Sequence, residues 1–311
     1  MLAFVATAAL SAAAAPFAAA QAPPSPQERS GAERGVTWDQ GHDAAWHLDQ
    51  HKKMATTIAS IRPQRPGLVD AYVLTVGLDA DAVFTREAVE AAKVLTRRYD
   101  AAGRSVMLAT GSTDYASGSP SNIALGLAAL AKQMDKSEDV LILFATAHGG
   151  PGVGVVHKDA DKSYGMMAPQ RLAMLLDELG IKRRMIIISA CFSGQFVGSL
   201  ATPDTIVITA ADDDRTSFGC APGNDWTFFG DALINSAMRQ DTGLEIATAQ
   251  AFSLINEWEF TLGLISSKPR LFIGDGARSW LGKLEERMPK GSTPKVGRRA
   301  IEEETASPAK P

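Results

Sequence analysis

Two stretches of the same design constrain this chain more than any other feature: VLILFATAHGG at residues 140–150 and MIIISACFSG at 185–194. Each is a run of large aliphatic side chains that ends abruptly in small residues and one reactive group, His148 in the first and Cys191 in the second. A continuous apolar run bounded by glycine reads as a strand buried on both faces, the kind that occurs in parallel sheets. In such sheets ligands bind beyond the carboxyl ends of the strands. If the two strands are neighbours, an imidazole and a thiol emerge close together, as a nucleophile and its proton-transfer partner.

The surrounding sequence supplies the rest of such a sheet. AYVLTV from Ala71, RSVMLAT from Arg104, TIVITAA from Thr205 and RLFIG from Arg270 read as further strands. Between them, helices are expected over 85–100, 120–134, 169–180, 228–238 and 244–259. The spacing of Ile123, Leu127, Leu130 and Met134, and of Leu172, Leu175, Leu176 and Leu179, carries the helical period. Pro169 and Gly180 mark a helix start and stop. Residues 152–164, rich in glycine and charge, are expected as a hairpin or loop. Alternating strands and helices of this length imply right-handed crossovers and a mainly parallel sheet covered on both faces, hence one α/β domain over residues 67–288.

Outside that domain the composition changes. Residues 1–22 are apolar and alanine-rich and read as a signal peptide, although a basic n-region is missing. Residues 23–66 read as a polar linker followed by a helix near 38–61, and residues 289–311 as a disordered tail. The mature chain has no other run of the roughly 20 apolar residues that a membrane span needs. A periplasmic or secreted location is expected. The formal net charge of −4 leaves no basic footprint for nucleic acid. Two cysteines, Cys191 and Cys220, make no disulfide framework, and both are expected to be free.

The glycines after His148 let the backbone turn sharply and let an N–H come close to a substrate carbonyl oxygen. Ser193 and Gly194 after Cys191 leave the cysteine N–H able to face the same oxygen. The bland alternative is a buried structural thiol and a core histidine, since free cysteine is among the most buried residue types. His47 and His51 lie four apart, a metal-binding spacing, but no acidic base sits between them. They and His42 are expected on a packing or solvated helix, and no metal or cofactor is expected.

An aliphatic strand ending in His-Gly, followed by one ending in Ala-Cys, resembles the caspase-like cysteine peptidase clan and in particular the legumain (C13) family. TAADDDRTSFGC at 209–220, FGD at 229–231, and VDAYVLTVG at 69–77 with the following FTRE at 84–87 extend the resemblance over about 68–258. It is closest to bacterial members with an SACxSG motif. It implies a caspase-like three-layer α/β/α sandwich and a cysteine-type endopeptidase acting on a peptide or protein substrate. Cys191 would be the nucleophile and His148 the general acid/base, with the N–H groups of Gly149 and Cys191 as oxyanion hole. Arg86, Ser189, Ser217 and Asp231 would bind the substrate, after Asn, Asp or another polar residue.

Two departures stand out. Ser189 replaces the acid that precedes the family's Ala-Cys, and Phe84 lies near the place of the asparagine associated with the histidine. Transpeptidation on the same acyl-enzyme, a silent scaffold and a redox-responsive thiol protein remain the alternatives.

Overall fold

The aliphatic runs become the centre of a layered sheet in the computed structural model, which describes residues 37–306. The expected signal peptide and the first part of the linker lie outside the described residues. The chain enters through β1 (Thr37–Asp39) and α1 (Ala44–Ala59). The alternating units are β2 (Ala71–Gly77), α2 (Ala82–Arg98), β3 (Ser105–Ala109), α3 (Pro120–Gln133) and β4 (Val140–Thr146). A small excursion of β5 (Gly149–Gly150), β6 (Gly154–Asp159) and β7 (Ser163–Met167) precedes α4 (Pro169–Glu178), β8 (Arg184–Ser189), α5 (Gln195–Leu200) and β9 (Thr205–Thr209). A π-helical turn at Gly230–Ser236 leads to α6 (Leu244–Thr261), β10 (Arg270–Ile273), α7 (Ala277–Glu285) and α8 (Ala300–Ala306).

The main sheet has the order β10-β9-β8-β4-β2-β3 and is parallel except for β10, which runs antiparallel to β9. Every residue of β2, β4, β8 and β9 is buried. Alternation along the strands divides the core in two. Val73, Ile142, Phe144 and Ile187 face Leu95 of α2, Ala251 and Ile255 of α6 and Trp280 of α7. Leu74, Leu143, Ile186 and Ile188 face Leu127 of α3, Leu176 of α4 and Phe196 of α5. Each such side chain contributes about 1.5–3 kcal/mol through burial. The result is a three-layer α/β/α sandwich with a mainly parallel central sheet, as the sequence led us to expect.

Three regions differ from expectation. Residues 38–61 are not one helix: β1 pairs with β7, and Asp43 starts α1 by accepting the Trp46 N–H at 2.8 Å. Just before it, the side chain of His42 is buried with its ring nitrogens 3.0 Å from Asp39 and 2.9 Å from Asp159. It ties the entry segment to the β6–β7 hairpin and stacks on Trp46 at 3.6 Å. Residues 228–238, expected as a regular helix, wind instead as a π-helical turn followed by a 3-10 turn at Ala237–Arg239.

The third correction concerns the tail, expected to be disordered from 289. Residues up to 306 are tied to the domain, because backbone groups of Val296 and Ala300 satisfy polar side chains that it buries. The Trp226 indole N–H and the Asn235 amide both donate to the Val296 carbonyl, at 2.8 and 3.0 Å. Asn235 also accepts the Val296 N–H at 2.9 Å, and the buried Asp231 carboxylate accepts the Ala300 N–H at 3.0 Å. The Arg299 guanidinium lies over the Trp258 ring. Among the described residues no helix is long and apolar enough to cross a membrane.

Deleting residues 289–311 therefore leaves a buried carboxylate and a buried amide short of partners. We expect a loss of about 2–5 kcal/mol of stability, read as a lower midpoint in thermal or urea unfolding. An unchanged midpoint would show that the tail contributes nothing.

Candidate active site

The register of the three central strands sets the site. Gly77 of β2 pairs with Thr146 of β4, which pairs with Ser189 of β8. Two residues further along each chain come Asp79, His148 and Cys191. Parallel strands that are level at their last paired residues deliver the next residues at one height, and the Leu78 N–H to Thr146 and Ala147 N–H to Ser189 bonds continue the register past the strand ends. Gly149 closes the contact between the histidine and cysteine segments. A Cβ built on it would lie 2.0 Å from the Cys191 carbonyl oxygen, so only glycine admits this approach.

The turn after Cys191 explains the SACFSG sequence. Phe192 adopts φ +57, a left-handed conformation costly for a bulky residue, and its N–H is fixed by the Arg215 carbonyl at 2.7 Å. The Ser193 hydroxyl accepts the Ala211 N–H at 3.1 Å, and a Cβ on Gly194 would lie 2.4 Å from the Asp213 nitrogen. Serine and glycine thus hold the 211–213 segment beside Cys191. Among the described residues the Cys191 N–H has no hydrogen-bond acceptor. Ser217 flanks the thiol: its N–H donates to Sγ at 3.3 Å, and its hydroxyl lies 3.7 Å away. The thiol in turn reaches the Ser217 carbonyl at 3.5 Å.

His148 is partly exposed, its ring edge-to-face with the buried Phe84 at 5.0 Å, and its Nε2 is 3.5 Å from the Asp81 carboxylate. Phe84 therefore does lie at the histidine, packing against its ring. Asp79 stands behind Asp81 and accepts its N–H at 2.9 Å. Burial pushes the Asp79 carboxyl above its ordinary range.

The expected substrate residues are not all brought together. Ser217 joins Cys191. Ser189 is buried below it, bonded to the Thr227 hydroxyl at 3.2 Å. Arg86, on the first turns of α2, donates to the carbonyls of Pro222 and Asn224 and faces Asp225 at 3.7 Å, beside a cavity of about 320 Å³ walled by Trp226, Val296 and Gly297. Asp231 is corrected: its carboxylate is fully buried and held by Asn235 and Ala300, so it does not line an open pocket with Arg86.

Three residues escape the sequence reading. Asp79 and Asp81 come directly after the first strand, and counting levels across the strands points to the former. Glu87 is a charge on the apolar stripe of α2, among Val83, Ala91 and Leu95. It is fully buried, accepts the Thr227 N–H at 3.1 Å and lies against Gly230 and the hydroxyls of Thr146 and Ser189. It joins α2 to the strand ends under the site. Burial raises its pKa from 4.5.

These contacts lead to two measurable outcomes. Gly149→Ala should lower kcat/KM by at least about tenfold and cost about 1–3 kcal/mol of stability, whereas Gly198→Ala, with nothing within 4 Å of the new Cβ, serves as a silent control. For Glu87, whose folded pKa is raised, the stabilising contribution is complete below about pH 4.5 and is lost as pH rises toward the folded value. Glu87→Gln, neutral throughout, should flatten that decline. Parallel pH–stability curves for the two proteins would refute the assignment.

Residues 121–258 match the model of the Peptidase C13 family. The crystal structure of caspase-1 from Spodoptera frugiperda aligns with a TM-score of 0.43 at 13% identity, over 69% of this chain and 88% of that one. No curated protein matches the chain. The matched segment contains His148, Gly149, Cys191 and Ser217. That segment, a little under half of the chain, is similar to the Peptidase C13 family.

Proposed function

We propose that this chain is an exported cysteine endopeptidase that cleaves after Asn, Asp or another polar residue through a Cys191 thioester. The observation that carries this reading is the row of carboxylate, imidazole and thiol at the ends of β2, β4 and β8. Cys191, its Sγ held beside Ser217, attacks the peptide carbonyl. His148, oriented by Asp81 and Phe84, takes the thiol proton and returns it to the leaving amine. The oxyanion is received by the Cys191 N–H and the neighbouring Gly149 N–H. Water then resolves the thioester, with His148 as base.

Arg86 reaches the Pro222 and Asn224 carbonyls of the segment beyond Ser217, and an arginine donor suits the side-chain oxygen of Asn or Asp. Export rests on the alanine-rich residues 1–22.

The test combines labelling with turnover. Burial pushes the Cys220 thiol up to about 11, so at pH 8 only about one molecule in a thousand carries it as thiolate. A peptidyl electrophile should label Cys191 stoichiometrically and leave Cys220 unmodified, read by peptide mass mapping. Cys191→Ala and His148→Ala should each lower peptide cleavage by about 10³-fold or more while unfolding stays cooperative. Cleavage of a diverse peptide library would give the residue preference. Near-wild-type turnover in either variant would overturn the reading.

A further inference from the structure

We propose that Asp79, Asp81 and His148 form a binding site for a transition-metal dication such as zinc, and that its occupancy silences the peptidase. One carboxylate oxygen from each aspartate and a ring nitrogen of His148 lie within 4.8 Å of one another. The Nε2 to Asp81 separation, 3.5 Å, is long for a hydrogen bond. It is close to the edge of a zinc tetrahedron, about 3.4 Å for bonds of about 2.1 Å.

Asp79 supplies an independent sign. It is 1% exposed, its Oδ1 is taken by the Asp81 N–H, and its Oδ2 has no hydrogen-bond partner among the described residues. A buried carboxylate oxygen without a partner is costly, and a dication removes that cost. Two carboxylates and an imidazole suit zinc or manganese, whereas calcium prefers a larger set of oxygens. All three ligands are also held in place: Asp79 by the strand register, Asp81 through Asp79, and the His148 ring by Phe84. Asp81 and His148 are partly exposed, which leaves an entry path and a position for water.

Coordination would use the Nε2 lone pair and leave the ring's single proton on Nδ1. Such an imidazole has no lone pair with which to accept the thiol proton. Metal removal would then restore activity. The silencing rests on the cysteine-peptidase reading, but binding does not.

Calorimetric titration of zinc chloride into the full chain separates the two. Wild type should bind one equivalent, Cys191→Ala should bind within about twofold of it, and Asp79→Asn and Asp81→Asn should each bind roughly tenfold or more weakly. If Asp79→Asn does not fold, Asp81→Asn at the partly exposed edge decides alone. Absence of binding, binding unchanged in the aspartate variants, or binding lost in Cys191→Ala, which would place zinc on the thiol, overturns the site. Peptide cleavage should fall with zinc occupancy and recover with a chelator. If binding depends on the aspartates but cleavage does not fall, the site stands and the silencing fails.

Discussion

The hydrogen-bond register between β2, β4 and β8 is the constraint on which the rest depends. Because Gly77, Thr146 and Ser189 are level, the residues two places beyond them share a height, and the three carry a carboxylate, an imidazole and a thiol. A slip of one residue would send alternate side chains to the opposite helical layer. Both layers are apolar and closely packed, so neither face accepts the other's set. The aliphatic runs therefore hold the register, and the register holds the reactive groups. The chemistry depends on burial some distance below it.

Just beneath that row the protein accepts polar burial. Glu87, Thr146, Ser189 and Thr227 form a cluster where the strands end and the apolar layers give way to the site. Hydrophobic side chains there would bury well but would not fix the 227–230 segment, whose backbone nitrogens at Thr227 and Gly230 bond to Glu87 and to the Thr227 hydroxyl. The same segment leads, through the Phe228 N–H and the Phe218 carbonyl, back to Ser217 at the thiol. The acid on the helix stripe is thus exchanged for order around the Cys191 thiol.

The strands, their layering and the pair of reactive residues were legible because burial on both faces leaves an unbroken apolar run, and few other structures do. Asp79 and Asp81 were harder to see. They sit just past the first strand in plain view, but their meaning depends on which strand lies beside it, which no local pattern carries. Arg86 and Asp231 were assigned together through resemblance, yet the side chains belong to different neighbourhoods, one facing Asp225 and the other enclosed by Asn235 and Ala300. The tail was misread for a related reason. Its polar composition argues against a core of its own, and it has none; it borrows order from Trp226, Asn235 and Asp231.

That borrowed order bears on when the protein is completed during synthesis. Strands β2 to β10 and their helices all precede residue 289, so the sandwich has its whole sheet before the last segment is made. Until Val296 and Ala300 follow, Asp231, Asn235 and Trp226 lack partners that the finished fold gives them. A chain made only as far as residue 288 thus holds an unfinished layer, and Val296 and Ala300 supply its closing contacts.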